Sequence, residues 1–316
     1  MVKLMTTHAD PSGLILFLRA FPERWGEAAF NSELTLAREP FQNHQLTIRL
    51  NIHLKQANTH GLPIWAAKDF DGKIFFIRPW EGTEWSEFQR KFREQALKWN
   101  GQFWLIPPPG YNRLDIKAPS GLRTRPNIWC LFDLQFHGSA TSAHRVIEVA
   151  NLNQTAIKYL RGVDPADQNS GLYRSDDRDY DSLDVTPRDN DTLTSAGWTR
   201  QTNYLTIVHE IGHAIGLPHI GVSKHDPLCQ TAILFEDNKA IQKNKSVPAF
   251  LKGGSNSAAC YGFKAPPDRY ANVMGAGTNF DVVNATPWQD RIGLHTKTDG
   301  SKWEVSMTSR FPIKVS

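Results

Sequence analysis

One eleven-residue stretch constrains this chain more than any other: His209-Glu210-Ile211-Gly212-His213-Ala214-Ile215-Gly216-Leu217-Pro218-His219. Residues four apart on a helix share a face, so the spacing aims the imidazoles of His209 and His213 at one point. Glu210 stands beside that point. Gly216 can take the left-handed conformation that ends a helix, and Pro218 cannot continue one. The chain then turns and returns His219 to the same place. Three imidazoles with one coordination position left for water form a catalytic rather than a structural zinc arrangement. Tyr204, Val208, Ile211 and Ile215 fall at helical spacing and mark the apolar face of that helix, with Thr199 or Thr202 as its expected cap. The alternative for the motif is a solvated surface helix.

The pattern His209-Glu210-x-x-His213-x-x-Gly216-x-x-His219 resembles the zinc signature of the metzincin metallopeptidases. That family has a methionine turn beneath its metal, and Tyr270-Ala271-Asn272-Val273-Met274-Gly275-Ala276-Gly277 is its counterpart here, with an ordinary core methionine in a Gly-rich turn as the alternative. The resemblance covers residues 200–295. It implies an α+β fold of the zincin type: a mixed twisted sheet, an active-site helix carrying His209 and His213, the turn at Met274, and a C-terminal helix. It also implies one zinc ion on His209, His213 and His219, with Glu210 as general base. Some branches carry a tyrosine two residues after the methionine; Ala276 stands there, so a tyrosine ligand is not expected. The leaderless chain and the Cys260-Tyr261-Gly262…Asn272-Val273-Met274-Gly275 pattern also resemble metallopeptidase domains of bacterial contractile-injection effectors.

The expected activity is hydrolysis of internal peptide bonds, with a protein or peptide as substrate. Hydrolysis of a non-protein amide, such as a cell-wall peptide link, would need the same residues. A catalytically inactive, zinc-stabilised binding module would need no base at position 210. An edge strand before the zinc helix is expected to hold extended substrate, and residues 276–280, ending at Phe280, to wall a specificity pocket.

Length and composition bound the rest. With 316 residues, 40% hydrophobic and 22% charged, the chain can bury a large core. A net charge of +4 is too small to indicate nucleic acid, and is compatible with acidic surfaces without indicating one. No apolar run reaches transmembrane length, and Leu14–Leu18 is short for a signal-peptide core. The chain is therefore expected to be cytoplasmic or exported by a leaderless route, as a secreted toxin or effector with a secretion apparatus as partner. Cys229 and Cys260 bracket an insertion at 220–269, and a disulfide between them would brace it; three reduced thiols, with Cys130 in a strand, are the alternative.

Residues 1–45 read as a mostly helical N-terminal extension and 46–316 as the catalytic domain. Residues 46–56 alternate apolar and polar as a half-buried strand does, with His53 on the polar side. Short strands follow at 73–79 and 103–106, and further strands at 127–137 and 144–151. Trp85, Phe88, Phe92, Ala96 and Trp99 mark an amphipathic helix over 84–100. The aspartates of 164–191 read as a solvated loop: Ser182 and Arg188 stand where a calcium loop of the EF-hand kind needs Gly and Glu, which leaves calcium unsupported. Thr286, Pro287 and Gln289 read as cap, first position and capping-box partner of a helix to about Leu294, followed by a strand at 302–307.

Overall fold

A computed structural model of the chain describes residues 15–19, 30–68, 74–153, 179–194, 197–217, 272–275 and 277–315. The architecture is α+β. Its strands are β1 (Ile15–Arg19), β2 (Asn31–Thr35), β3 (His44–Gln56), β4 (Trp65–Lys68), β5 (Ile74–Ile77), β6 (Phe103–Ile106), β7 (Ile116–Lys117), β8 (Arg123–Arg125), β9 (Ile128–Phe136), β10 (Arg145–Ala150), β11 (Asp179–Asp181), β12 (Arg188–Thr194), β13 (Gly197–Tyr204), β14 (Glu304–Ser306) and β15 (Ile313–Val315). The helices are α1 (Glu84–Ala96), α2 (Thr206–Ala214) and α3 (Thr286–Thr296). Among the described residues no helix is long and apolar enough to cross a membrane.

The thirteen-residue β3 organises the main sheet. Its first half pairs antiparallel with β2 and its last residues pair parallel with β10, while β9 runs parallel to it over nine positions. The sheet continues antiparallel from β9 to β6 and β14, and parallel from β10 to β11. The period-two pattern explains which face is inside. Leu46, Ile48, Leu50, Ile52 and Leu54 are buried, and in-register partners such as Cys130, Phe132 and Leu134 lie beside them. Gln45, Thr47, Arg49, Asn51 and His53 alternate onto the other face. There Arg49 pairs with Asp133 at 2.7 Å, and His53 Nδ1 bonds the carbonyl of His137 at 2.8 Å.

The three α-helices among the described residues contribute to the same core. Phe88, Phe92 and Ala96 of α1, Ile207, Val208 and Ile211 of α2, and Trp288 and Ile292 of α3 belong to the same cluster as the β3 and β9 side chains. Burying each phenylalanine contributes about 2–3 kcal/mol. At its C-terminal end α1 tightens into a 3-10 turn, Leu97–Trp99, that delivers Trp99 into the core with no exposed surface. The tryptophan-rich stretch therefore builds core at Trp99, while Trp80 and Trp85 are partly buried against it.

Four local expectations are corrected. The described part of residues 1–45 contains strands, not helix: β1 pairs with β2, and β2 pairs with β3, because Ser32 and Leu34 bury against Ile48 and Leu46. Neither Thr199 nor Thr202 caps α2. Both lie inside β13, whose antiparallel pairing with β12 holds them in a strand until Leu205 opens the helix without a side-chain cap. Thr286 is not the cap of α3 either. A 3-10 turn, Val282–Ala285, runs straight into the helix, so the capping box moves upstream to Asp281 and Asn284. The aspartate-rich region is not uniformly solvated. Asp181 and Asp184 are buried, and they accept hydrogen bonds from the backbone N–H groups of Leu183 and Asp181 at 2.6 and 2.7 Å.

Candidate metal centre

Helix α2 ends as its glycine requires. Gly216 has φ +98°, its N–H donates to the carbonyl of His213 at 2.9 Å, and the N–H of Leu217 donates to the carbonyl of Gly212 at 2.9 Å. These two bonds form a Schellman motif, which satisfies the last carbonyls and turns the chain out of the helix axis. A side chain at 216 would be strained in that conformation.

His209 and His213 stand one turn apart, His209 buried and His213 half-buried. His209 is 1% exposed and Glu210 8% exposed. The Nδ1 of His209 lies 2.7 Å from the carbonyl oxygen of Val273, and the Nδ1 of His213 lies 2.8 Å from that of Leu217. A carbonyl only accepts, so each Nδ1 carries the proton. In the neutral rings each Nε2 then carries a lone pair, and the two Nε2 atoms are 3.1 Å apart. Burial, reinforced by the neighbouring His213 and opposed by the bond to Val273, lowers the pKa of His209 to about 3, which keeps its ring neutral.

Two lone pairs facing each other at that distance repel unless a cation stands between them. Two zinc–nitrogen bonds of about 2.0–2.1 Å at a tetrahedral angle place their nitrogens about 3.3 Å apart. The donor pair fits a zinc ion in atom type, tautomer and separation. Carbonyl partners on the far ring nitrogens also match how metal-binding histidines are oriented. His219, the third expected ligand, lies outside the described residues. Among the described residues, no group of three His, Cys, Asp or Glu side chains surrounds one point.

The turn at Met274 lies against this helix. Val273 supplies the carbonyl that holds His209, and the next residue, Met274, is 1% exposed. A Cβ built on Gly212 would fall 2.1 Å from the Met274 sulfur and 2.9 Å from the Trp99 ring. Only glycine lets the methionine seat there. Asn272 shapes the turn: its Oδ1 accepts from the N–H of Met274 at 2.8 Å, and its carbonyl accepts from Gly275 and Gly277 at 2.9 and 3.1 Å. Asn272 and Asn284 exchange paired amide hydrogen bonds of 2.8 and 3.1 Å, which lock the turn to the start of α3.

Three contributors were not singled out in the sequence. The indole N–H of Trp99 donates to the Val208 carbonyl at 2.9 Å, in the turn that carries His209. Gly212 sits in a helix interior, where glycine costs about 1 kcal/mol against alanine, and that cost was a readable sign of a close neighbour. The Asn272–Asn284 pair is separated by twelve positions and has no sequence signature. Phe280, expected at a pocket wall, is half-buried and packs its ring on Trp99 and Phe103, with centroids 4.8 and 6.2 Å away. Before α2, β11 pairs only with β10 among the described strands and so is an edge of the main sheet, while β12 and β13 form a separate two-stranded sheet. Ala276, Cys229, Cys260 and the insertion 220–269 lie outside the described residues, and Cys130 is a buried free thiol.

No family model matches the chain, and no match was found among curated proteins or solved structures.

Proposed function

We propose that this chain is a zinc-dependent endopeptidase of the metzincin kind, with His209, His213 and His219 as ligands and Glu210 as general base. The observation that carries the reading is the 3.1 Å convergence of two Nε2 lone pairs whose Nδ1 atoms are both committed to carbonyls. The seating of Met274 against Gly212 supports it independently.

Bound zinc would supply Lewis acidity at the carbonyl under attack and raise the acidity of water at the site. Glu210, adjacent to the first ligand and largely shielded from solvent, takes the proton of the attacking water and returns it to the leaving amine. Val273 and Leu217 hold the two imidazoles in the tautomer whose Nε2 carries the lone pair that can ligate. Trp99, Met274 and the Asn272–Asn284 clamp keep α2 and the turn at a constant spacing.

The test is Glu210→Gln, assayed for bound zinc and for cleavage of a peptide library. The expected variant keeps one zinc per chain and loses cleavage. Cleavage at the wild-type rate sinks the assignment of the base. Zinc uptake with hydrolysis of cell-wall peptides alone would shift the substrate to a non-protein amide. Unfolding on chelation without hydrolysis of any peptide would indicate a structural metal.

A further inference from the structure

A local excess of positive charge gathers at one place in the fold. Segments 113–125 and 310–315 meet in the small sheet of β15, β8 and β7. They carry six cationic side chains, Arg113, Lys117, Arg123, Arg125, Arg310 and Lys314, and one carboxylate, Asp115. That local excess of five is larger than the net +4 of the whole chain, so the remainder is slightly acidic. Asp115 is spent internally: its side chain is 4% exposed and it pairs with Arg123 and Arg125, each at 2.9 Å. Arg113, Lys117, Arg310 and Lys314 are exposed.

Large apolar side chains project from the same place. Phe311 is 79% exposed, Ile313 59% and Phe41 70%. A single exposed phenylalanine is ordinary, but these three are held together. Asn43 donates to the carbonyl of Arg310 at 2.6 Å, Asn127 donates to that of Phe311 at 2.9 Å, and the Asn127 N–H donates to Asn43 at 2.9 Å. These bonds tie Asn43, two residues after Phe41, to the segment that leads through Phe311 into β15.

We propose that this face docks on an anionic lipid bilayer. Apolar side chains set among lysines and arginines match the two layers of such a surface, with acyl chains below and phosphate groups above. Nucleic acid fits less well. Arg123 and Arg125 are already committed to Asp115, and the aliphatic Ile313 offers neither stacking nor a hydrogen bond to a base. The docking face is independent of the peptidase reading, and either can fail without the other.

The experiment is co-sedimentation of the full chain with vesicles of phosphatidylcholine alone and with phosphatidylserine admixed. Binding is expected only to the anionic vesicles, and it weakens as salt rises. Lys117→Glu, on the same side of the small sheet as Ile313, is expected to reduce partitioning about tenfold. Phe311→Ser with Ile313→Ser is expected to act in the same direction. All three positions are at the surface, so both variants should melt at the wild-type temperature, which separates lost docking from lost folding. Equal binding to neutral and anionic vesicles overturns the proposal, as does wild-type binding by both variants. A single-stranded oligonucleotide retained more tightly than the anionic vesicles also overturns it, in favour of nucleic acid.

Discussion

Gly212 and Met274 occupy each other's space: the position a Cβ would take on Gly212 lies 2.1 Å from the methionine sulfur. The contact joins the helix of the candidate metal centre to the turn that orients His209, across 62 residues of sequence.

Gly212→Ala tests that contact. Alanine would favour the helix by about 1 kcal/mol, but overpacking against Met274 and the rigid Trp99 ring costs about 1–3 kcal/mol. A net loss in denaturant-unfolding free energy is expected. Met274→Ala placed in that background should recover part of it. A stabilised Gly212→Ala protein would refute the close seating of the methionine.

Asn272→Ala should loosen the turn. It removes the acceptor for the Met274 N–H and leaves a buried Asn284 amide without its partner, costing about 1–3 kcal/mol. Because Val273 orients His209, zinc affinity should also fall about 10–100-fold, read by competition with a chelator. Paired with Asn284→Ala, the two losses should be less than additive. Additive losses would mean that the two asparagines act independently.

Trp99→Phe keeps an aromatic ring in the core and deletes the bond to the Val208 carbonyl. That carbonyl retains its place in the helix, so the expected loss is about 1–2 kcal/mol in a urea titration. Trp99→Ala should cost about 3–5 kcal/mol through the cavity it leaves. Equal losses for the two variants would rule out a separate contribution from packing.

His295 makes stability depend on pH. Burial, helped by the nearby Arg291, lowers its pKa from 6.5 to about 4, while its Nε2 bonds the Ser32 hydroxyl at 3.0 Å. The unfolded chain therefore binds the proton more readily than the folded one. The contribution is fully present above pH 6.5 and is lost as pH falls toward 4, by about 3 kcal/mol. His295→Gln should make the acid limb of a Tm-against-pH curve shallower in metal-free protein. It will not abolish the limb, because His44 is also held low by burial. An unchanged limb would remove His295 as its source.

Much of this architecture was legible because its signals are local. The alternation of residues 46–56 became β3, and the Trp85-to-Trp99 stripe became α1 with its 3-10 turn. Gly216 took the left-handed conformation that its place after the helix demanded. The errors arose where a long-range partner outweighed a local preference. Leu34 found Leu46 across the sheet, so a helical reading of the N-terminal region gave way to a strand. Thr199 and Thr202 were drawn into a hairpin, and Asp281 and Asn284 captured the capping role expected of Thr286.

The sequence by itself determined the order of the candidate site's side chains: His209, Glu210 and His213 on one helix, a glycine to end it, and a Gly-flanked turn at Met274 downstream. Periodicity and backbone stereochemistry act over a few residues, so both can be read without knowing the fold. Tertiary structure alone decided how the donors are aimed, because the carbonyls of Val273 and Leu217 select the tautomers. It also placed Trp99 and the Asn272–Asn284 clamp, and it gathered cations nearly 200 residues apart in sequence onto one small sheet. Hydrogen-bond selection and charge accumulation depend on distances in space, and those exist only once the chain has folded.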